Sequence, residues 1–143
     1  MAAGDAGFWS FAVLQIAVAA LLLGIIVYAP GPWDLQRSAG TVLAIISMVL
    51  LALSRYQLGK SFSVRPKAKA LVTHGIYSRI RNPIYIFSGL MAAGIFLIFH
   101  RPKLFLLFLI LVPVQMLRAR QESRILECRF GEQYREYRRK TWF

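Results

Sequence analysis

The chain has few residues that bind metals or form covalent cross-links, and few acids. Its single cysteine, Cys128, excludes an intrachain disulfide and a cysteine-based metal site. Only two histidines, His74 and His100, remain as candidate ligands for another metal. Structural zinc is therefore not expected, and the sequence predicts no metal site. Six Asp and Glu stand against 18 Lys and Arg, which leaves a formal net charge of +12.

Apolar residues, in contrast, are abundant, and they are segregated from the basic residues. They make up 57% of the 143 residues, and the mean hydropathy is +0.53, whereas soluble domains are usually about 45–50% apolar. This segregation is typical of a membrane protein with charged faces. Four helical crossings of about 20 residues each would use more than half of the chain. The sequence therefore predicts a single membrane-embedded domain over residues 1–143 and excludes a large extramembrane domain.

Four apolar stretches predict four transmembrane helices, so the predicted fold class is all-α. Helix-breaking residues separate the stretches, because proline cannot donate a backbone hydrogen bond. Pro30 follows the first stretch, Asn82-Pro83 suits the N-cap and first position of the third, and Pro102 begins the fourth. The short connector before Pro102 predicts a hairpin of the third and fourth helices. The predicted helices are residues 8–29, 38–55, 83–99 and 102–118.

The fourth stretch is the shortest of the predicted crossings. It has 14 uncharged residues, 104–117, a length that is also typical of a re-entrant or buried segment. We favour a crossing that is kinked near Pro113. Its helical pattern continues to Phe130, where Gly131 is the expected C-terminal cap. A short amphipathic helix over residues 132–140 is expected to follow as a cytoplasmic extension.

The distribution of basic residues predicts the orientation in the membrane. With four crossings, all Lys and Arg except Arg37, Arg101 and Lys103 fall on the side of the termini and of the loop 55–81. Cytoplasmic loops carry an excess of Lys and Arg, so both termini and this loop are expected in the cytoplasm. Anionic lipid headgroups explain the positive charge better than nucleic acid does. The sequence thus predicts an integral membrane protein with the bilayer as its partner, and it carries no signal for an oligomeric state.

Two cytoplasmic segments, residues 71–85 and 118–137, hold nearly all the polar side chains that are capable of chemistry. In a hairpin, the end of the fourth helix returns to the membrane face from which the third helix started. The two segments are therefore expected to be neighbours and to enclose one pocket.

These segments resemble the isoprenylcysteine carboxyl methyltransferase superfamily of integral membrane enzymes, which includes phospholipid N-methyltransferases and small bacterial members. The resemblance covers residues 64–137. The first motif is found as Leu71, Val72, Gly75, Tyr77, Arg81, Asn82, Pro83 and Tyr85. The second motif is found as Glu122, Leu126, Phe130, Gly131, Tyr134 and Tyr137. The resemblance implies a bacterial inner-membrane enzyme with a cytoplasmic active site.

The resemblance also implies methyl transfer from S-adenosylmethionine (SAM) to a lipophilic acceptor that enters from the bilayer. Arg81 is expected to clamp the SAM carboxylate, and Glu122 to accept hydrogen bonds from the ribose hydroxyls or the ammonium group. His74 is expected to donate to the cofactor or to act as a base. These three residues are the predicted catalytic residues. The predicted cofactor-binding residues are His74, Gly75, Tyr77, Arg81, Asn82, Pro83, Tyr85, Arg118 and Glu122.

Several alternatives stay open on the sequence alone. The acceptor is either a prenylcysteine-like carboxylate or another lipid nucleophile, and the main alternative is a phosphatidylethanolamine-type amine. Asn82-Pro83 can serve to begin a helix without any role in catalysis. Tyr77 and Tyr85 can be residues of an interfacial aromatic belt. The acids and cations of residues 118–140 also fit a salt-bridged surface helix of a non-enzymatic membrane subunit. His100 and Cys128 are interpreted as structural.

Overall fold

The structure, a computed structural model, describes residues 2–58 and 71–142, with side chains from residue 13 onward. Five α-helices form within these ranges: α1 (Ala2–Tyr28), α2 (Leu35–Leu58), α3 (Pro83–Ile98), α4 (Phe108–Phe130) and α5 (Glu132–Lys140). Two 3-10 turns, Gly75–Ser78 and Pro102–Leu107, precede α3 and α4. The described part contains no β-strand, only one isolated bridge, so the all-α prediction is confirmed.

Three helices of the structure have other ends than the predicted membrane-spanning segments, and the spans themselves stay predictions. The first helix begins before residue 8, at Ala2. The second begins at Leu35 rather than residue 38, because Asp34 Oδ1 accepts a hydrogen bond from the Arg37 amide at 2.8 Å and so caps the helix earlier. The fourth does not begin as an α-helix at Pro102, since the chain there first forms a 3-10 turn.

The number of crossings is supported in part. The helices Leu35–Leu58 and Pro102–Phe130 are long and apolar enough to cross a membrane, while the apolar helices Val13–Tyr28 and Pro83–Ile98 are shorter. Four crossings, the orientation and the kink near Pro113 therefore stay predictions. The basic residues Lys60, Arg65, Lys67 and Lys69, on which the orientation partly depends, lie outside the described residues.

Helices α2 and α3 pack so closely that their backbones touch at two glycines. A Cβ atom added to Gly94 would lie 2.7 Å from the backbone oxygen of Gly40, and one added to Gly40 would lie 2.7 Å from the oxygen of Gly94. Small residues at a helix contact permit this approach, and in lipid such packing is a main cause of helix association. The buried face of α2 also carries the small residues Ala44, Ser47 and Ser54, beside the larger Leu51.

The two short connectors meet at one end of the bundle. His100 Nε2 lies 2.9 Å from Asp34 Oδ2, which joins the connector after α3 to the connector before α2. This contact raises the pKa of His100. The pKa of Asp34 is lowered, chiefly by the backbone hydrogen bond from Arg37 and then by His100. The structural interpretation of His100 agrees with this contact.

Arg37 is buried at the same end, although the sequence indicated only a cation of the connector. Its guanidinium donates to the carbonyl oxygens of Ile26 at 2.8 Å and Gly31 at 2.7 Å, and it lies 4.4 Å from the centre of the Trp33 ring. The last carbonyls of a helix lack intrahelical donors, so Arg37 satisfies one of them in α1. It thereby ties α1 to α2.

Helix α4 contacts α3 through aromatic rings near the connectors and through polar groups further along. Phe96 of α3 lies edge-on to Phe105 and Phe108, with ring centroids 5.7 and 5.3 Å apart. Most of the apolar span of α4 is otherwise exposed within the chain. Gly131, with φ +50°, ends α4 and begins α5 as predicted, and its amide donates to the Glu127 carbonyl at 2.9 Å.

Candidate functional site

A tight turn, Gly75–Ser78, carries the first motif away from the end of α2. Gln57 Oε1 accepts the amide hydrogen of Ile76 at 2.8 Å and so holds the turn against α2. Gly75 has a φ of +61°, and an added Cβ would collide with the Gln57 side chain. Both observations explain the glycine at this position. His74 precedes the turn and its side chain is exposed.

The C-terminal tail lies against this turn, so the two motifs do come together. The Trp142 amide donates to the Arg79 carbonyl at 2.7 Å, and the Arg81 amide donates to the Trp142 carbonyl at 2.9 Å. The Tyr137 hydroxyl donates to the Tyr77 carbonyl at 2.7 Å. The expectation that residues 71–85 and 118–137 are neighbours agrees with these contacts.

Three tyrosines form the buried centre of the contact: Tyr77, Tyr134 and Tyr137. Burial raises the pKa of Tyr137 to about 12, and burial together with the nearby charge of Glu122 raises that of Tyr77 further. Arg55, at the end of α2, opposes the shift at Tyr77. The phenols of Tyr77 and Tyr137 therefore stay protonated at neutral pH and are available as hydrogen-bond donors.

Glu122 reaches the same region from α4. The Tyr85 hydroxyl donates to Glu122 Oε2 at 3.3 Å, which links α3 to α4. Glu122 is half-buried, whereas Arg118, one turn earlier on the same face, is exposed. The carboxylate is thus held by a phenol of the first motif and acts electrostatically on another, Tyr77.

The remaining predicted site residues occupy the start of α3. Asn82 is its N-cap and Pro83 its first residue, as predicted, and both are buried. The Asn82 side chain makes no capping hydrogen bond, so its amide is not used to begin the helix. Arg81 is half-buried beside Tyr137, and its positive charge opposes the rise in the pKa of the Tyr137 phenol. Among the described residues Arg81 and Glu122 form no ion pair, and their common pocket stays a prediction.

Several polar atoms in this region are buried and have no hydrogen-bond partner within the described ranges 2–58 and 71–142. They are the hydroxyls of Tyr77 and Tyr134 and the Nε atom of Arg81. Leaving a buried donor unpaired costs about 1–3 kcal/mol, so native structures rarely tolerate a group of them. These three donors lie where the two motifs meet, and the half-buried Glu122 carboxylate acts electrostatically on one of them, Tyr77. Such a polar region can accept a ligand rich in oxygen acceptors and cationic donors.

An open apolar groove lies between α1 and α2. It has a volume of about 440 Å³, and its lining includes Gln15, Met48, Leu53 and Tyr56. Tyr56 is adjacent in sequence to Gln57, which holds the turn of the candidate site. The groove is therefore lined at one end by the last turn of α2, the helix whose Gln57 bonds to the turn Gly75–Ser78.

Sequence reasoning missed two residues that shape the site. Gln57 was part of no motif, and only its position in the last turn of an apolar helix marks it as unusual. Tyr134 was recognised in a motif but was not assigned a role, although it is completely buried. The spacing Phe130-Gly131-x-x-Tyr134-x-x-Tyr137 was the available signal, since it places both tyrosines on one face of α5.

Comparison with protein families gives one match. The family model described as phospholipid methyltransferase matches residues 35–133, from the start of α2 to the beginning of α5. The matched region contains both candidate segments except for the last four residues of the second one. Searches of the curated proteins and of the solved structures give no significant match.

Proposed function

Because the chain belongs to the phospholipid methyltransferase family, we propose that it is an integral membrane enzyme that transfers a methyl group from SAM to a lipophilic acceptor. The family assignment establishes a membrane methyltransferase family. The identity of the cofactor, the class of acceptor and the residues that bind them are what we propose.

The observation that carries the proposal is the group of buried donors that have no partner among the described residues, one of which, Tyr77, lies within the electrostatic reach of Glu122. SAM presents a carboxylate, ribose hydroxyls, an ammonium group and an adenine ring. The Nε atom of Arg81 and the tyrosine hydroxyls suit its acceptor atoms, and the Glu122 carboxylate suits its hydroxyls or ammonium. Tyr77 and Tyr85 offer aromatic faces to the adenine or the cation. The residues present therefore fit the cofactor.

The chain contributes binding, alignment and exclusion of water. SAM supplies, when bound, an electrophilic methyl group on a sulfonium. Arg81 would hold the carboxylate of the cofactor and Glu122 its ribose hydroxyls or ammonium group, and the turn Gly75–Ser78 with His74, Asn82 and Pro83 would shape the wall. Burial of Tyr77 and Tyr137 keeps the pocket dry, and a dry, aligned pocket supplies much of the rate of a displacement reaction.

The acceptor decides whether a base is needed. A prenylcysteine-like carboxylate attacks without losing a proton, whereas a phosphatidylethanolamine-type ammonium must first be deprotonated. His74 is then the base that the site offers, since its ring is exposed beside the turn. The apolar groove near Tyr56 is suited to a hydrocarbon chain that arrives laterally from the bilayer.

The proposed location is the inner membrane of a bacterium, with both termini and the site in the cytoplasm. Cys128 provides a direct test, because it is the only cysteine and is exposed near the end of α4. We expect a membrane-impermeant maleimide to label it in inverted vesicles but not in intact cells stripped of the outer membrane. The matched control is Leu35→Cys in a Cys128→Ser background, since Leu35 is exposed near the connectors. It should label with the opposite sidedness. Labelling of both from one face would contradict this topology, as would follow from a re-entrant α4.

Calorimetric titration of the purified protein in detergent with SAM tests the function itself. We expect saturable binding of one SAM per chain, and methyl transfer from labelled SAM into a lipid extract. The competing function is a non-enzymatic subunit that binds anionic lipid through the exposed cations Arg138, Arg139 and Lys140 of α5. No binding of SAM, together with tight binding to anionic vesicles, would favour that function instead.

A further inference from the structure

A polar pair lies between the apolar faces of α3 and α4, away from the site described above. The Gln115 side-chain amide donates to the Ser88 hydroxyl oxygen at 3.1 Å, and Ser88 donates to the Tyr85 carbonyl at 3.1 Å. Both residues fall within stretches predicted to cross the bilayer. Polar side chains at such positions are costly, and they commonly mark the route of a substrate.

Gln115 is not fully satisfied by this contact. Its amide has two hydrogens and a carbonyl oxygen, and only one hydrogen is used on Ser88. Within residues 2–58 and 71–142 nothing else bonds to the amide. Its Oε1 atom lies beside Gly89, where an added methyl group would be 3.6 Å away. The missing side chain at Gly89 leaves space next to the amide, and hydrocarbon supplies no water to fill its bonding capacity.

The pair also has a defined distance from the candidate site. Gln115 and Glu122 are seven residues apart on α4, so they lie on the same face, about 10 Å apart along the axis. On α3, Ser88 lies one turn beyond Tyr85, which bonds to Glu122. The polar groups Glu122, Tyr85, Ser88 and Gln115 therefore form one row from the site toward the bilayer interior.

We propose that Gln115, positioned by Ser88, binds an ester carbonyl of the acceptor and thereby selects diacyl lipids. The inference rests on the proposed function and assigns two further residues to the same reaction. In a diacyl phosphatidylethanolamine the amine and the ester carbonyls stand at opposite ends of the polar headgroup. A lipid whose amine meets the cofactor near Glu122 therefore carries its ester carbonyls on the side where Gln115 lies. The free hydrogen of the Gln115 amide then donates to the carbonyl. A farnesyl chain has no acceptor atom at that depth.

A purely structural role is the competing explanation, because interhelical hydrogen bonds of this kind also join transmembrane helices. The two roles differ in what they change. A structural contact affects all acceptors alike, whereas a contact with the ester affects only acceptors that contain one. The ratio of rates on two matched lipids therefore separates them, even where a variant folds less well.

The experiment measures methyl transfer from labelled SAM by the reconstituted full chain to dioleoyl phosphatidylethanolamine and to its dialkyl ether analogue. For the wild type we expect kcat/KM to be about tenfold higher on the ester lipid, the value of one hydrogen bond in a dry site. Gln115→Leu should abolish this preference, so that the rates on the ester lipid and on the ether lipid become equal. Ser88→Ala should reduce the preference in part. Gln36→Leu, which removes an exposed amide at the start of α2, is the matched control and should keep the wild-type ratio.

Three results would overturn the inference: equal wild-type rates on both lipids, an equal loss on both in Gln115→Leu, or transfer to farnesylcysteine with none to either phospholipid. Absence of SAM binding by the wild type would instead overturn the proposed function, and this inference with it.

Discussion

Glu122→Gln is expected to weaken the binding of SAM by roughly 10- to 150-fold while the fold stays intact. A hydrogen bond to a charged group contributes about 1.5–3 kcal/mol, which corresponds to this range. Glutamine keeps the volume of the side chain. It also keeps an oxygen that can accept the hydrogen bond that the Tyr85 hydroxyl donates to Glu122 Oε2 at 3.3 Å in the wild type. The variant therefore removes the negative charge and little else. Calorimetric titration of wild type and variant in the same detergent gives the two affinities.

Glu136→Gln is the matched control for Glu122→Gln. Glu136 is exposed on α5 and pairs with Lys140 at 2.6 Å. Exposed ion pairs contribute little to stability, so this variant should bind SAM as the wild type does. If Glu122→Gln and the wild type have equal affinities, Glu122 holds no part of the cofactor. Its contact with Tyr85 then only joins α3 to α4.

Local backbone chemistry accounts for what the sequence predicted well. Pro30, Pro83 and Gly131 act on their immediate neighbours, so helix ends beside them were recognisable without knowledge of the fold. The N-cap role of Asp34 is also local, and the helix start at residue 38 overlooked it. Hydropathy predicted the helical stretches themselves, since a long apolar run in this composition has few other stable forms.

Contacts between distant residues account for what the sequence did not predict. Arg37 has the appearance of a connector cation, and its burial depends on carbonyls at the end of another helix. Gln57 bonds to Ile76 across a segment whose path the sequence does not specify. The backbone pairing of Trp142 with Arg79 and Arg81 has no sequence signature. The candidate site is assembled from such contacts, so its residue types were predictable from the motifs and its geometry was not.

Gly94→Leu is expected to cost about 3 kcal/mol or more of folding free energy and to impair SAM binding as well. Overpacking of a well-packed contact typically costs about 1–3 kcal/mol. Here the added atoms meet backbone, because even a Cβ at Gly94 would lie 2.7 Å from the Ala44 nitrogen and 2.9 Å from its Cβ. A backbone cannot change rotamer, so α2 and α3 must separate. Movement of α2 also displaces Gln57, which holds the turn Gly75–Ser78 of the candidate site.

Gly24→Leu on α1 makes the same chemical change where there is room. A Cβ at Gly24 meets no atom within 4 Å, so replacement of glycine should be neutral or stabilise the helix by up to about 1 kcal/mol. Unfolding titrations in mixed micelles with a denaturing detergent should therefore separate the two variants clearly, with Gly94→Ala between them. Since lipid supplies no hydrophobic force between helices, close packing at Gly40 and Gly94 must supply much of their association. Equal stability of Gly94→Leu and Gly24→Leu would mean that the α2–α3 contact is looser than the structure has it, and the position of Gln57 would then need another cause.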